Sequence, residues 1–299
     1  MSSPLPARRR SVLVVPGADE RKIAKALASD ADEVVLDLED AVTVDRKDEA
    51  RALVAATLAN LAPGRVGSVA VRVNPARTPW CHLDIAAIAG CAALGSIVLP
   101  KVEDAGDIAF VDRLLTGVES AAGRTAPVGV QALIETARGV ANVAAIVDAS
   151  PRLVALIIGY ADLAASLGRS PARQIEPWRP IQDAVIVAAN SASSARGVQA
   201  IDGPYLGIAV DDDFTAWLDE ASQLGFDGKW VIHPGQVAAV NAAFTPSAAD
   251  VSWARRVLAA MRDSELEGTG AVALDGQMLD EAVALGARRI LARAEDEPA

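Results

Sequence analysis

Histidine and cysteine are almost missing from this 299-residue chain, which holds two of each. Cys81 and Cys91 cannot build a disulfide framework, and no CxxC pair occurs. His82 and His233 lie too far apart in the pattern for a histidine-rich metal site, and His233, set before Pro234, reads as a structural hydrogen-bonding residue. Aromatic residues make up only 4%. No apolar run reaches the roughly 18–20 residues a membrane-spanning helix needs, so no membrane partner is expected. Basic residues are in deficit: 28 Lys and Arg face 39 Asp and Glu, a formal net charge of −11. Such a chain, without a basic tract, is a poor electrostatic match for nucleic acid. It also lacks a GxGxxG after the first apolar run, a P-loop, an HExxH and a Ser-His-Asp order, which removes the corresponding nucleotide, zinc and serine-hydrolase readings.

What is present is a folding composition, 52% hydrophobic with a mean hydropathy of +0.26, far from that of disordered or collagen-like chains. A soluble protein of a reducing compartment, the cytoplasm, is expected. Arg8-Arg9-Arg10 before Val12–Val15 imitates a secretion signal, but the apolar run is short and ends in Pro16-Gly17-Ala18-Asp19-Glu20. It reads instead as a first strand feeding a loop.

Eight short apolar runs, many β-branched, alternate with longer alanine-rich amphipathic segments. The runs are Ser11–Pro16, Glu33–Leu38, Ser68–Val73, Ser96–Pro100, Val128–Ile134, Leu153–Ile158, Val198–Ile201 and Trp230–Ile232. Helical patterns fill Arg21–Ala28, Lys47–Leu58, Ala105–Glu119, Gly139–Asp148, Trp178–Ser194 and Asp212–Leu224. This alternation predicts βαβ units, and the near-continuous apolar character of the runs predicts strands buried on both faces. Eight units within residues 1–245 predict a (β/α)8 TIM barrel, with an open doubly wound sheet as the competitor. Residues 246–299 lie beyond the barrel. Helices are predicted there over Ser247–Arg262 and Gln277–Ala294, with a glycine-containing stretch from Gly268 to Gly270, as a C-terminal helical extension.

Nearly every run ends in polar residues: Asp37-Leu38-Glu39-Asp40, Arg72-Val73-Asn74, Pro100-Lys101-Val102-Glu103, Glu135-Thr136, Gly159-Tyr160-Ala161-Asp162, Asp202-Gly203-Pro204 and His233. Barrel enzymes gather their active sites from these strand ends. One charged strand end marks only an exit to solvent; seven of eight, carrying both signs, point to a shared polar pocket. Glu135 and Asp162 are the best metal pair, since hard carboxylates suit Mg2+, which keeps several waters and takes one or two protein ligands. The same two residues also read as solvated loop carboxylates or as ion-pair partners of Arg138 or Arg152. Arg72 suits a bidentate grip on a carboxylate, or a structural ion pair with Glu39 or Asp40. Lys101 could counter a phosphate or carboxylate, or serve structure alone.

In order along almost the whole chain stand Val15-Pro16-Gly17, Leu36–Val42, Val71–Asn74, Leu99–Glu103, Ile134–Val140, Gly159–Leu163, Gly225–Lys229, Ile232-His233-Pro234, Val240-Asn241 and Asp275–Asp280. With these blocks the sequence resembles the CitE-like branch of the HpcH/HpaI aldolase and citrate lyase β-subunit superfamily, which includes malyl-CoA and citramalyl-CoA lyases. The resemblance implies a TIM barrel assembled as a homotrimer or a dimer of trimers, with Mg2+ (or Mn2+) on Glu135 and Asp162. It implies that Arg72 binds the carboxylate of substrate or keto-acid product. It further implies that the C-terminal extension covers a neighbouring subunit's site, where Asp280 acts as acid or base. Ala161 and Ala282 depart from residues common in relatives, a glutamate and a proline.

The activity so implied is Mg2+-dependent, reversible cleavage of a 3-hydroxyacyl-CoA carboxylate such as malyl-, citramalyl- or citryl-CoA into a keto acid and an acyl-CoA. Asp280, Arg72, Glu39 and Asp40 are the catalytic candidates, Arg72, Glu135 and Lys101 the substrate-binding ones. Glu39 and Asp40 would position Arg72 or a metal-bound water. Coenzyme A enters as part of the substrate, and Arg21, Lys22 and Lys25 are candidates for its phosphates or else an ordinary solvated helix face. Three rivals stand beside this reading: a malyl-CoA thioesterase, a class II pyruvate aldolase, and a subunit active only within a citrate lyase-like complex.

Overall fold

The eight apolar runs close into a parallel barrel in the computed structural model, which describes residues 8–61, 67–169, 178–192, 197–267 and 272–295. The strands are β1 (Ser11–Pro16), β2 (Glu33–Asp37), β3 (Ser68–Arg72), β4 (Ser96–Leu99), β5 (Gly129–Ile134), β6 (Leu153–Ile158), β7 (Gln199–Asp202) and β8 (Gly228–Val231). Each pairs with the next and β8 returns to β1, so no edge is left open. The barrel expectation holds and the open sheet is excluded. Six helices follow the predicted amphipathic segments: α1 (Glu20–Leu27), α2 (Lys47–Asn60), α4 (Ala105–Ala122), α5 and α6 (Ala137–Ala141 and Val143–Val147, where one was expected), and α8 (Arg179–Ser191). A seventh, α9, spans Asp212–Leu224. Three short helices went unforeseen: α3 (Cys81–Ile88), α7 (Tyr160–Ser166) and α10 (Val237–Ala243).

Strand alternation sorts the barrel interior into tiers. Toward the N-terminal ends lies a dry polar tier, where Glu33 accepts from Arg9 Nε at 2.9 Å and from Gln131 Nε2 at 2.7 Å, and Gln131 also donates to Ser96 Oγ at 2.8 Å. Two residues further along come Val12, Val35, Ala70, Val98, Leu133, Ala155, Ile157, Ile201 and Trp230, a packed apolar tier. Two residues beyond that, β2 reaches Asp37, β3 reaches Arg72 and β5 runs out at Glu135. The period of two that buries Val35 and Leu133 therefore also delivers Asp37 and Glu135 to the mouth.

The chain divides into two compact units, residues 1–241 and 242–299. In the second, α11 (Ala248–Glu267) and α12 (Glu281–Glu295) pack through Ala254, Val257 and Ala287, with Leu279 between them. The helix expected over Gln277–Ala294 is corrected at its start. Asp275 and Gly276, at φ 52° and 80°, form the two-residue turn of a hairpin joining β9 (Val272–Leu274) to β10 (Gln277–Leu279). Asp-Gly is the preferred pair for a turn with both central residues at positive φ. The helix starts only after Asp280, whose Oδ1 accepts from Val283 N at 2.9 Å. Gly268–Gly270 and the last predicted residues of the Trp178–Ser194 helix lie outside the described residues.

Candidate functional site at the barrel mouth

A cleft of about 170 Å3 opens at the C-terminal face of the barrel. Val14, Leu133, Trp230 and Ile232 form an apolar wall, and Asp40, Arg72, Glu135 and Asp162 a charged one. Arg72 is fixed first. Asp37, at the end of the neighbouring strand β2, takes Nε at 2.7 Å and Nη2 at 2.6 Å, and Nη1 lies 2.9 Å from Glu39 Oε2 and 3.8 Å from Asp40 Oδ2. The structural ion pair expected with Glu39 or Asp40 is present on Nη1, and Asp37, which the sequence did not offer as a partner, adds a bidentate grip. The arginine also lies over the Trp230 ring, 5.6 Å from its centroid. Asp37 takes two of the five guanidinium hydrogens, and the Nη edge remains to meet an anion from the cleft. Glu39 Oε2 is buried and receives no hydrogen bond; burial raises the Glu39 carboxyl against the pull of Arg72.

Behind this arginine the β2 loop is pinned from below. Buried Lys47 donates to the carbonyls of Leu38 and Glu39 at 2.7 and 2.8 Å, and Asn74 Nδ2 donates to Leu38 O at 3.1 Å and to Asp84 at 2.7 Å. Neither Lys47 nor Asn74 belongs to the carboxylate cluster itself; both fix the backbone that carries Glu39.

Lys101 links the two carboxylate groups. It sits at φ 52°, a left-handed conformation that costs about 1–3 kcal/mol for a residue with a side chain and that persists where surrounding contacts over-determine it. Here the peptide N–H reaches Glu135 Oε1 at 2.8 Å while the ammonium reaches Glu39 Oε1 at 2.5 Å. The same ammonium lies 3.9 Å from Glu135 Oε1 and 3.7 Å from Asp162 Oδ1. Burial, and then the Glu39 charge, push the Glu135 carboxyl up to about 8. Arg138 and Arg152 do not serve as its ion-pair partners among the described contacts: Arg152 pairs with Asp112 and Glu119 at 2.7 Å each.

Glu135 and Asp162 face one cleft across Gly159. A Cβ built on Gly159 would lie 2.5 Å from Glu135 Oε2 and 2.6 Å from its Cβ, so only glycine leaves the carboxylate where it is. Gly159→Ala is expected to displace Glu135 and weaken divalent-cation binding by tenfold or more, as calorimetric titration with Mn2+ measures. Among the described residues no three His, Cys, Asp or Glu side chains are arranged to hold a metal. The donor set is one of two hard carboxylates, which fits a hard cation that fills its other positions with water and substrate oxygens.

None of the contacts among the described residues joins the remaining candidates to this cluster. Asp280 is exposed in the second unit, capping α12. Arg21, Lys22 and Lys25 are exposed on α1, with Lys22 3.8 Å from Asp19. His233 accepts from Gly235 N at 3.1 Å through Nδ1, as a structural residue does. Burial pushes the Cys81 thiol up to about 12, away from nucleophilic use. No described helix is long and apolar enough to cross a membrane.

Known proteins are similar to this chain over nearly their whole lengths. The chain is 37% identical over 315 residues to an L-malyl-CoA/β-methylmalyl-CoA lyase of Cereibacter sphaeroides, covering 99% of this chain and 98% of that one. It is 36% identical over 286 residues to a (3S)-malyl-CoA thioesterase of the same species, covering 96% and 94%. The crystal structure of CitE from Mycobacterium tuberculosis with magnesium, acetoacetate and coenzyme A superposes with a TM-score of 0.78 at 34% identity, covering 97% of this chain and 99% of that one. Residues 10–234, the barrel with all the clustered side chains above, match the family model for HpcH/HpaI aldolase/citrate lyase. This chain belongs to the HpcH/HpaI aldolase/citrate lyase family.

Proposed function

We propose that this protein is a Mg2+-dependent carbon–carbon lyase. Its substrate is a 3-hydroxyacyl-CoA bearing a carboxylate at C3, such as malyl-, citramalyl- or citryl-CoA, cleaved reversibly to a keto acid and an acyl-CoA. One observation carries the reading: Glu135, Asp162 and Arg72 line one cleft at the C-terminal face of the barrel. The lyase named among the relatives and the magnesium and coenzyme A named in the CitE structure support it.

Glu135 and Asp162 would hold the cation, which supplies Lewis-acid polarisation of the substrate oxygens. Arg72 orients the substrate carboxylate with its Nη edge, while Asp37, Glu39 and Asp40 keep the guanidinium from turning. Lys101 adds positive charge beside the same carboxylate. The apolar wall of Val14, Leu133 and Trp230 excludes water, strengthening these contacts. When the C–C bond breaks, the hydroxyl proton passes to a water in the cleft, the hydroxyl carbon becomes the carbonyl of the keto acid and the bond's electron pair becomes an acyl-CoA enolate. Asp280 of a neighbouring copy, in its protonated form, gives its proton to that enolate carbon, and in the reverse direction its carboxylate removes it. Accordingly the C-terminal extension, residues 246–299, covers the site of a neighbour in a homotrimer, or a dimer of trimers, of cytoplasmic location. Arg21, Lys22 and Lys25 offer positive charge for the phosphates of coenzyme A.

Arg72→Lys keeps the charge but loses the fork. It is expected to lower kcat/KM by about 10²-fold or more, a misplacement effect of the size expected for a positioned substrate group, with most of the loss in KM for the keto acid when assayed in the condensing direction. The function itself is tested by incubating malyl-, citramalyl-, methylmalyl- and citryl-CoA with the purified protein and Mg2+ under mass spectrometry. A keto acid from at least one ester supports the lyase. Free hydroxy acid plus coenzyme A would instead make it a thioesterase, and no turnover by the chain alone would make it a subunit of a larger complex.

A further inference from the structure

We propose that Tyr160 is a positioning residue for the carboxylate pair, its buried hydroxyl network setting where Asp162 stands and hence how tightly a divalent cation is held. The inference rests on the metal reading of Glu135 and Asp162 given above and adds a determinant outside the pair. Asp162 does not position itself: its side chain is 42% exposed and lies 3.7 Å from Lys101. It rides on α7, a seven-residue helix whose N-cap, Gly159, makes no side-chain cap. A helix that short has little stability of its own and takes its orientation from its contacts.

Leu163 and Ala164 bury the inner face of α7, and Ser166 Oγ accepts from Ala137 N at 2.9 Å near its end; its start, two residues before Asp162, is held through Tyr160. Its hydroxyl donates to Asp202 Oδ1 at 2.5 Å and accepts from Gln182 Nε2 at 2.9 Å. Its ring packs against Trp178 and Trp217 at centroid distances of 5.1 and 5.5 Å. Asp202 is itself immobilised, taking Lys229 Nζ at 2.5 Å and Trp217 Nε1 at 3.0 Å on its other oxygen. Lys229 and Asp202 are both fully buried. Gly203 leaves room for the ring, since a Cβ there would meet Tyr160 Cδ2 at 2.6 Å. Strands β7 and β8 and helices α8 and α9 therefore all hold one phenol, and that phenol holds the turn bearing Asp162. Glu135 is fixed separately, by the Lys101 peptide, so a shift in Tyr160 changes the spacing of the pair rather than moving it whole.

Tyr160→Phe keeps the ring and removes the tether. In the full chain it is expected to raise the Mn2+ Kd about tenfold, as losses of partners behind a ligand commonly do, read by electron paramagnetic resonance of free Mn2+ without any substrate. The fall in turnover at low Mn2+ should recover when Mn2+ is raised. Gln182→Met, at the outer end of the network, should give a smaller rise, and decides the matter if Tyr160→Phe does not fold. A Kd within twofold of the parent in the folded variant overturns the proposal, whether melting temperature falls or turnover is lost at saturating Mn2+. Absence of Mn2+ binding by the parent protein would overturn the metal reading itself, with Glu135→Gln as the non-binding control.

Discussion

Glu135→Gln is expected to abolish Mn2+ binding and to lower lyase turnover by at least about 10³-fold, while making the metal-free protein more stable at alkaline pH. The two effects have one origin. Glu135 is buried beside Glu39 and Asp162, and its carboxyl is pushed up to about 8 from the ordinary 4.5 of a glutamate. Between those limits the folded state binds more protons than the unfolded one, so this group's contribution to stability falls as pH rises through the interval and is gone above it. An uncharged glutamine does not pay that penalty. Thermal melts in chelator at pH 4.5 and pH 9 should show Glu135→Gln gaining several degrees over the parent at pH 9 and little at pH 4.5, with an intermediate gain at pH 6. The same repulsion is what a cation relieves, because a divalent charge at the pair favours the ionised form. Below pH 8 cation binding should therefore release a proton, and Mn2+ affinity should strengthen with pH up to about 8 and then level off. Activity lost without loss of Mn2+ binding would place Glu135 among the substrate contacts alone.

Lys229→Met should be among the most destabilising single changes in the barrel. Lys229 and Asp202 form a fully buried ion pair at 2.5 Å, and Lys229 also donates to Gly203 O at 2.6 Å. Methionine leaves the Asp202 carboxylate buried with only Tyr160 and Trp217 as donors, and an uncompensated buried charge costs about 3–5 kcal/mol. For a chain of this size that corresponds to a fall of roughly ten degrees in melting temperature. Adding Asp202→Asn removes the stranded charge and should return part of the loss, which a double-mutant cycle by thermal melting resolves. Equal effects for the single and double variants would mean that Lys229 contributes packing alone.

The barrel could be read from the residues because each strand carries its own signal. Ser11–Pro16 and Leu153–Ile158 match their apolar runs to the residue, and the other six strands shift by one or two positions at their ends. Strand buried on both faces is a local property of sequence, which is why β2, buried at all five residues, stood out. Short elements lacked such a signal. Helix α7 spans seven residues, and its Gly-Tyr-Ala-Asp approach reads equally as a strand exit; Gln277–Leu279, the second strand of the hairpin, falls inside the helix expected over Gln277–Ala294. The site divides in the same way. Arg72, Glu39, Asp40, Lys101, Glu135 and Asp162 could be picked out as strand-end residues one at a time, and the closed barrel brings all six to one mouth. Their partners could not. That Asp37 grips Arg72 alongside Glu39, and that the Lys101 peptide rather than an arginine holds Glu135, depends on strand neighbours and on a left-handed backbone that no spacing announces. The tether of Tyr160 to Asp202 crosses 42 residues and two strands, beyond any local pattern.

Lyase chemistry at this site is tested most directly by the fate of one substrate. Purified protein given malyl-CoA and Mg2+ should form keto acid and acyl-CoA in equal amounts, with no free thiol, and should stop on chelation and resume when Mg2+ is restored. Free thiol rising in step with a released hydroxy acid, or turnover indifferent to chelation, would contradict it.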